Sequence, residues 1–523
     1  MDILYALGAG FATAMSPETL LATFLGALLG TLVGILPGLG SPAAVALLLP
    51  LSFAMSPVSA IAMLAGVWYG SSFGGIITAV LLNMPGEGDS VIATLDGNQM
   101  AKQGRGGVAL GISALGGFIA GTFALIAFMY LGPSAAKFSL MFGPPEYFAL
   151  MLMGLSLILW LSGADLAKGL LSAGLGLFIG FVGIDLESGM PRLTFGSVDL
   201  LKGIGFVPVV VGLFGLSEVL ATLGQKTDPD EMQTIPVGWK ALLPSSRDEW
   251  RRSMNAIFRG SGLGFLIGLI PGAGPTVSTF VAYAVEKKLA RDPKSFGTGR
   301  IEGVASPEAA NNSATIAGMV PLLALGLPAS STAAVLMGGF LIHGLVPGPL
   351  LFRDHADFVW ALIASLYIAN VLLLLLNTAL IPALIWILVA IKGILPALVG
   401  VLVIVGAYSL DNSFFDVWVA IAAGFVGLGF RLVNMPLAPL VIALVLGPKA
   451  EIAFGQTMSL SEGDLSVFIT RPWTALMLGI SLLVLCSPLV SRLTAARKRA
   501  EPSTASVTSD RGRSDSKDSQ SHA

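Results

Sequence analysis

The sequence is organised around one stretch, Gly34-Ile35-Leu36-Pro37-Gly38-Leu39-Gly40-Ser41. This stretch lies inside a long apolar run, Leu20 to Phe53, that contains no charged side chain. Proline and glycine in the middle of such a run interrupt a helix. In hydrocarbon, the freed backbone groups are costly unless protein or a wet cavity satisfies them. We therefore expect a helix break here that lines a cavity.

The same string recurs as Gly268-Leu269-Ile270-Pro271-Gly272-Ala273-Gly274-Pro275, again within an apolar run. Each copy is followed by a second break, at Asn83–Asp89 in the first half and at Gly326–Thr332 in the second. Interrupted hydrophobic segments in matching places of two halves are typical of a transporter's binding site. The alternative is that proline and glycine only kink packed helices, which is common in membrane spans. For the Gly-x-x-x-Gly spacing Gly26–Gly30–Gly34, close helix packing is the expectation.

Composition places the chain in a membrane. Its 523 residues are 54% hydrophobic and only 11% charged, whereas soluble domains carry about 25% charged residues. Many apolar runs are long enough to cross a bilayer, so we predict an all-α polytopic membrane protein with about 10–13 membrane segments. The 29 Lys and Arg residues against 31 Asp and Glu residues indicate no nucleic-acid partner.

Composition shifts divide the chain into five parts. We assign an N-terminal lead-in, a first transmembrane repeat, a cytoplasmic linker, a second transmembrane repeat and a disordered cytoplasmic tail. In chain order these are residues 1–19, 20–224, 225–259, 260–491 and 492–523. The linker is charged and carries prolines, and the tail turns from basic to rich in serine, aspartate and arginine, with few apolar residues.

Basic residues change sides between the two halves. The loop after the first break, 52–59, has no charge, whereas its counterpart at 287–300 carries five lysines and arginines. The next loop reverses this pattern, with basic residues at 102–105 in the first half and a mainly acidic cluster around Arg353 in the second. Because basic loops lie in the cytoplasm, we predict two inverted-topology repeats. Each repeat would hold a Pro/Gly-broken re-entrant hairpin and a broken helix.

The four breaks share one chemistry. Glycine lets the backbone approach a ligand closely, helix N-termini attract anions, and exposed carbonyl groups can hold a cation such as Na⁺. A carboxylate-bearing solute could thus be bound without a buried arginine. The candidate substrate- and ion-binding residues are Gly38, Gly40, Ser41, Asn83, Pro85, Gly86, Gly272, Gly274, Thr276, Asn311, Asn312, Ser313, Pro328, Ser330 and Ser331.

Two adjacent asparagines stand out among these candidates. The string Ser306-Pro307-Glu308 is typical of a helix start, with serine at the N-cap and proline in the first turn. Asn311 and Asn312 follow on the same helix, and we expect them to face a pore or a site. The alternative is that uncharged polar groups simply form hydrogen bonds between helices.

The acids nearest the breaks are Glu87, Asp89 and Glu308. We interpret them as solvated loop residues or helix caps rather than as proton carriers. Hard cations take oxygen ligands, and the breaks supply carbonyls, amides and hydroxyls but few acids. If an ion gradient is used, we therefore favour Na⁺ over H⁺.

The sequence shows no enzyme site. It has no paired histidines on a helix, no serine in a nucleophile-elbow setting and no Walker-type loop. One cysteine, Cys486, and three histidines do not form a metal cluster. We expect neither catalysis nor a cofactor nor a bound structural metal.

A set of short strings extends from about Leu20 to Leu489. They are Gly34–Gly40, Tyr69–Gly75, Asn83–Gly86, Asp96-Gly97, Arg192–Gly196, Gly268–Gly274, Glu302–Asn312, Gly447-Pro448 and Arg471-Pro472. This set resembles the large membrane subunit of tripartite tricarboxylate transporters.

The resemblance implies a secondary active importer in the inner membrane of a bacterium. It would work with a small membrane subunit and with a periplasmic solute-binding protein. The implied substrates are tricarboxylates such as citrate and other carboxylates, taken up with Na⁺ or H⁺. From the residues alone, a channel or a membrane scaffold without its own transport cycle stays an alternative.

Overall fold

The computed structural model describes residues 3–36, 40–161, 166–185, 189–222, 242–380, 383 and 395–500. Within them the chain is almost entirely helical, apart from one two-stranded antiparallel ribbon, in which Gly183–Ile184 pairs with Pro191–Arg192. Six described helices are long and apolar enough to cross a membrane. The prediction of a helical, multi-pass membrane protein is confirmed, whereas the total of about 10–13 segments stays a prediction.

The first half contains ten α-helices among the described residues. They are α1 Ile3–Ala14, α2 Pro17–Gly34, α3 Ser41–Leu48, α4 Pro57–Leu82, α5 Val91–Lys102, α6 Gly106–Ser139, α7 Pro144–Leu161, α8 Leu166–Gly180, α9 Phe206–Val210 and α10 Ser217–Thr222. A 3₁₀ turn follows α3, and a π-helical stretch joins α9 to α10.

The second half contains twelve α-helices among the described residues. They are α11 Arg247–Gly268, α12 Gly274–Leu289, α13 Glu302–Ala317, α14 Met319–Leu325, α15 Ser331–Ile342, α16 Pro349–Asp354, α17 Ala356–Ala379, α18 Leu395–Asp411, α19 Phe414–Leu432, α20 Ala438–Leu460, α21 Val467–Thr470 and α22 Pro472–Ala500.

Both predicted breaks of each half are observed. In the first half, α2 ends at Gly34, and α4 ends at Leu82, which is followed by Asn83 in a left-handed conformation with φ 57°. In the second half, α11 ends at Gly268, and α14 ends at Leu325, which is followed by Gly326 with φ 71°. The next helix begins after Ser330, whose hydroxyl accepts a hydrogen bond from the backbone N–H of Ala333 at 3.2 Å. Local turn chemistry thus explains where these helices stop and start.

A stripe of glycines joins α2 to α4. A Cβ atom built on Gly26, Gly30 or Gly34 would lie 2.2–2.3 Å from a carbonyl oxygen of α4. The residues met are Met63, Val67 and Ser71 in the same order, so the two helices run parallel. Only glycine permits backbones to approach so closely, and the prediction of close helix packing is confirmed.

The first broken element is a hairpin that returns to its starting end. Since α2 and α4 are parallel neighbours, the chain between them must come back along the same length, through the break and α3. At the shared end, the hydroxyls of Thr19 and Ser59 form a 3.0 Å hydrogen bond. Close by, the Glu18 carboxylate accepts the backbone N–H of Ser56 at 2.9 Å.

The second half repeats this packing. Cβ atoms built on Gly260, Gly264 and Gly268 of α11 would lie 2.2–2.6 Å from carbonyl oxygens of α13, at Ser306, Ala310 and Ala314 in turn. The helices are again parallel, and α12 forms the returning arm of the hairpin. Its end is tied to α11 because the Arg259 guanidinium donates two 2.7 Å hydrogen bonds to Glu286.

The long helix α6 contacts α4 and α13 in opposite orders. Cβ atoms built on Gly117 and Gly121 of α6 would meet Phe73 and then Tyr69, so α4 and α6 are antiparallel. On α13 the order is parallel: Ser113 donates to Glu308, and Gly117 faces Asn312. The helices α4 and α13, which occupy equivalent positions in the two glycine-packed pairs, therefore run in opposite directions. Both are at the centre of the molecule, and every residue of α13 is buried.

Two sequence-based boundaries differ from the structure at the start of the second half. The linker boundary at 259/260 falls inside α11, which begins where Ser246 accepts the N–H of Glu249 at 3.1 Å and continues unbroken to Gly268. Its glycines do not end it because they pack against α13. The helix start predicted at Ser306–Glu308 is wrong: α13 begins at Glu302 and includes Pro307, which removes only one hydrogen bond of the helix.

The last helix also extends beyond its expected end. Residues 492–500, which we predicted to be disordered, belong to α22, and their alanine, leucine, lysine and arginine content favours a helix. Residues 501–523, the rest of the predicted tail, and residues 225–241 of the linker lie outside the described residues.

Candidate functional site

The two breaks of the first half are joined by a carboxylate. The segment Asn83–Ser90 connects α4 to α5, and we call it the 83–90 segment. Within it, the Glu87 carboxylate accepts hydrogen bonds from both the backbone N–H and the hydroxyl of Ser41, at the N-terminus of α3. The Ser71 hydroxyl of α4 donates in turn to the Ser41 hydroxyl at 2.5 Å. A buried chain of hydroxyls thus leads from α4 to the carboxylate.

Glycine allows the same two breaks to touch. A Cβ atom on Gly86 would lie 2.8 Å from the carbonyl oxygen of Gly34 and 3.3 Å from the Cα of Gly75. A Cβ atom built on Gly40, which precedes α3, would lie at an ordinary 3.5 Å from the Cγ of Glu87. Gly38 lies outside the described residues.

The two breaks of the second half also touch. The backbone N–H of Gly272 donates a 2.9 Å hydrogen bond to the carbonyl oxygen of Ala329. A Cβ atom on Gly274 would be 3.5 Å from the Cβ of Ser330. Both glycines have positive φ values, 86° and 57°, which side-chain-bearing residues rarely adopt. This contact brings the N-termini of α12 and α15 together.

The halves meet at the 83–90 segment. A Cβ atom built on Gly88 would lie 3.2 Å from the methyl carbon of Thr276, in the first turn of α12. The carboxyl of the neighbouring Asp89 faces the amide of Asn311 on α13. Three of the four breaks therefore come together around one short segment.

The other candidate residues have different surroundings. Asn83 is exposed at the end of α4 and Pro85 is half-buried, whereas Asn311 and Asn312 are fully buried. Ser313 donates its hydroxyl to the carbonyl oxygen of Ser261 at 2.7 Å, which is a helix-packing contact. On the second-half break, Pro328 is buried, and Ser330 caps α15, whose first residue, Ser331, is half-buried.

The acids near the breaks are not solvated loop residues. Asp89 and Glu308 are 5% and 1% exposed, and Glu87 is half-buried and bound to Ser41. The Glu308 carboxylate lies in the interior of α13 and accepts the Ser113 hydroxyl of α6 at 3.3 Å. Our interpretation of these acids as solvated groups or caps is wrong for Asp89 and Glu308. Folding buries them beside residues that are distant in sequence, Asn311 for Asp89 and Ser113 for Glu308.

A second buried carboxylate joins the halves at another place. Asp96 of α5 accepts the backbone N–H groups of Gly297, Gly299 and Arg300 at 2.7–2.9 Å, and its other oxygen accepts the Tyr283 hydroxyl at 2.9 Å. This clamp holds the loop before α13 against the first half. Sequence reasoning missed this contact, although Asp96-Gly97 is one of the short strings that carry the family resemblance.

Two cavities lie away from the breaks. One of about 650 Å³ is lined by charged residues of α11 and of the loop before α13, including Arg251 and Arg291. The other, of about 240 Å³, is mainly apolar and lies between α9 and α15.

The letters Gly70-Ser71-Ser72-Phe73-Gly74 spell the Gly-x-Ser-x-Gly of a nucleophile elbow. They lie inside α4 and are buried, however, whereas an elbow requires a strand-to-helix turn. Among the described residues there is no group of three or more His, Cys, Asp or Glu side chains that could hold a metal ion.

Comparison with known proteins gives one family. The sequence model described as "Tripartite tricarboxylate transporter TctA family" matches residues 20–442. No solved structure matches the chain.

Two proteins of Agrobacterium vitis are similar to the chain. An "Uncharacterized 52.8 kDa protein in TAR-I ttuC' 3'region" is 40% identical over 486 residues, which are 92% of this chain and 95% of the relative. An "Uncharacterized protein in TAR-II ttuC' 3'region" is 38% identical over 234 residues, which are 45% of this chain and 97% of the relative.

Proposed function

The chain belongs to the tripartite tricarboxylate transporter TctA family, and from this membership we propose that it is the large membrane subunit of a binding-protein-dependent secondary transporter. It imports tricarboxylates or other carboxylates across the inner membrane of a bacterium. Its partners are a small membrane subunit and a periplasmic solute-binding protein, and a cation gradient drives uptake.

One observation carries the proposal: the broken elements converge. In each half the two breaks contact one another, through Ser41 and Glu87 in the first and through Gly272 and Ala329 in the second. The halves then adjoin at Gly88 and Thr276. Irregular backbone at membrane depth is tolerated where it is enclosed by protein or lines a cavity. Convergence of such backbone between two halves is typical of a transport site.

The helix N-termini suggest where the solute's carboxylates bind. In the first half, Glu87 already occupies the N-terminal end of α3. In the second half, the N-termini of α12 and α15 are brought together by the Gly272–Ala329 contact, and Ser330 caps α15 with a neutral hydroxyl. Because N–H groups and the helix dipole favour an anion there, we assign the solute to the second-half break.

Inverted repeats are part of the proposal. Two observations support them: each half has a glycine-packed pair of parallel helices, and the equivalent helices α4 and α13 run in opposite directions along α6. A solute held between such halves would face each side of the membrane in turn as one half moves against the other.

The test is uptake by the reconstituted system. The large and small membrane subunits would be placed in proteoliposomes and supplied with the solute-binding protein and a panel of labelled carboxylates. We expect saturable, cation-driven uptake of at least one tricarboxylate or dicarboxylate, and only with the binding protein present. Non-saturable flux without that protein would indicate a channel, and no flux of any carboxylate would indicate a scaffold; either result contradicts the proposal.

A further inference from the structure

A cluster of buried oxygen atoms lies where the 83–90 segment meets α13. Two carboxyls, those of Asp89 and Glu308, are more than nine-tenths buried and close enough to repel one another. Glu308 Oε2 accepts the Ser113 hydroxyl at 3.3 Å. Two buried carboxylates require a compensating positive charge or a proton.

Several polar atoms of this cluster have no hydrogen-bond partner within the described protein. They are Glu308 Oε1, Asn311 Oδ1 and Asn312 Oδ1. Asn311 is fully buried, and its amide faces the Asp89 carboxyl. Positions 308, 311 and 312 fall on one side of α13 because residues three and four apart are neighbours on a helix. Buried polar groups are normally satisfied, so this arrangement indicates a ligand.

Nearby positive charges are engaged elsewhere. Arg252 and Arg300 both bind Glu302, at the N-terminal end of α13. Arg259 binds Glu286 at the base of the second hairpin. These three arginines are therefore not available to neutralise the carboxyl pair.

We propose that Asp89, Glu308 and Asn311 bind a sodium ion. The available atoms are carboxylate and amide oxygens, which are ligands for a hard cation. A proton would give one carboxyl an O–H group, which can pair with at most one of the two amide oxygens of Asn311 and Asn312, whereas a metal cation accepts electron pairs from both. The ion's role as the driver of solute uptake rests on the function proposed above; its binding does not.

Binding is tested without transport. The purified full-length protein, in lipid nanodiscs, would be titrated with NaCl at constant ionic strength, with choline as the replacement cation, and its thermal unfolding midpoint would be recorded. A ligand that binds only the folded state raises this midpoint as its concentration passes the dissociation constant. We expect Na⁺ to raise the midpoint and K⁺ not to do so. Glu308→Gln and Asn311→Ala should each raise the half-saturating Na⁺ concentration at least tenfold.

Two control variants match these changes. Glu302→Gln neutralises a buried acid on the same helix that is bound to arginines. Asn377→Ala removes a buried asparagine of α17 that, like Asn312, bonds the carbonyl four residues before it and leaves its amide oxygen unpaired. Both controls should keep the native Na⁺ response.

Three results would overturn the inference. They are an unfolding midpoint of the native protein that does not change with Na⁺, an unchanged Na⁺ response in both site variants, and a midpoint that depends on pH but not on Na⁺. The last result would show that these carboxyls bind protons instead of a sodium ion. Failure of the proposed function is separate, because absent carboxylate uptake with intact Na⁺ binding would refute the function and leave the ion site standing.

Discussion

Ser41 and Glu87 are 46 residues apart in sequence, yet the backbone N–H and the hydroxyl of Ser41 both donate to one carboxylate oxygen of Glu87. This pair closes the first hairpin onto the broken helix α4–α5. Chain segments freed by the breaks are thereby held by side-chain chemistry rather than by a continuous helix.

Ser41→Ala tests the contribution of the Ser41–Glu87 hydrogen bonds to stability. The variant removes one hydrogen bond to a charged group, and also the acceptor for Ser71, so we expect a loss of about 2 kcal/mol in the free energy of unfolding. Ser365→Ala is the control, because the hydroxyl of Ser365 is also buried but donates only to the carbonyl four residues earlier, at 2.8 Å. Unfolding midpoints of the purified variants are the measurement. Equal losses of unfolding free energy in the two variants would mean that the Ser41–Glu87 hydrogen bonds stabilise the protein no more than a bond within a helix does.

Gly264→Ala and Gly262→Ala test the second-half glycine stripe. Both residues lie within α11, but a Cβ atom on Gly264 would be 2.3 Å from the carbonyl oxygen of Ala310, whereas one on Gly262 meets nothing within 4 Å. Alanine favours a helix over glycine by about 1 kcal/mol, so Gly262→Ala should be neutral or stabilising.

Gly264→Ala should instead destabilise the protein by about 1–3 kcal/mol, the usual cost of overpacking. Unfolding midpoints compared with that of the native protein measure both effects. If Gly264→Ala proves as stable as Gly262→Ala, α11 and α13 are not in backbone contact.

Some of this architecture is visible in the sequence because its signals are local. Proline and glycine within an apolar run indicate a break wherever they occur, and the breaks at Gly34–Ser41 and Gly326–Thr332 were found in this way. A Gly-x-x-x-Gly spacing likewise indicates close packing without naming the partner helix.

The chemistry around the breaks was not predictable in the same way. Ser113 and Glu308 are 195 residues apart, and so are Gln103 and Thr298, which bond at 2.8 Å near the Asp96 clamp. No periodicity or spacing within the sequence reports such contacts. Glu308 therefore looked like an acid in the first turn of a helix, although tertiary packing buries it in the interior of α13.

Gly40→Ala and Gly272→Ala separate a binding role from a packing role. At Gly40, φ is −77° and the nearest atoms to an added Cβ are 3.4 Å away, so alanine fits. At Gly272, φ is 86° and a Cβ would lie 2.7 Å from the Cα of Ile158. We expect the Gly272 variant to lose membrane levels through misfolding, and the Gly40 variant to keep them.

Uptake by the Gly40 variant then reports on the site. Because the solute is assigned to the second-half break and Glu87 occupies the N-terminus of α3, the added methyl group should leave the apparent KM for uptake unchanged. A KM raised about tenfold or more would place the solute at the first break instead, since only glycine allows close approach.

Asp96→Asn tests the clamp between α5 and the loop before α13. The change replaces charge-assisted hydrogen bonds to three backbone N–H groups with weaker neutral ones. Amide hydrogen exchange of residues 297–300 should accelerate about tenfold, which corresponds to about 1.4 kcal/mol of lost local stability. Asp292→Asn is the control, because the exposed carboxylate of Asp292 accepts, among the described hydrogen bonds, only the nearby N–H of Lys294. Equal exchange in the two variants would contradict the clamp.

The last prediction concerns the orientation of the two hairpins. The first hairpin closes at Glu18 and Ser56, beside an uncharged loop, and the second closes at Arg259 and Glu286, beside a basic one. Because basic loops stay in the cytoplasm, and because α4 and α13 run in opposite directions along α6, the two closures should lie on opposite sides of the membrane.

Single cysteines at exposed positions of these loops test the orientation. In a Cys486→Ser background, Ala54→Cys should react in intact cells with a membrane-impermeant maleimide added outside, once the outer membrane is permeabilised. Lys294→Cys should react only after the inner membrane is opened. Because the basic loop at Lys294 is the cytoplasmic reference, a cysteine at Ala54 that also stays protected until lysis would place both closures on one side. That result would rule out inverted repeats, since hairpins related by an axis in the membrane plane must enter from opposite faces.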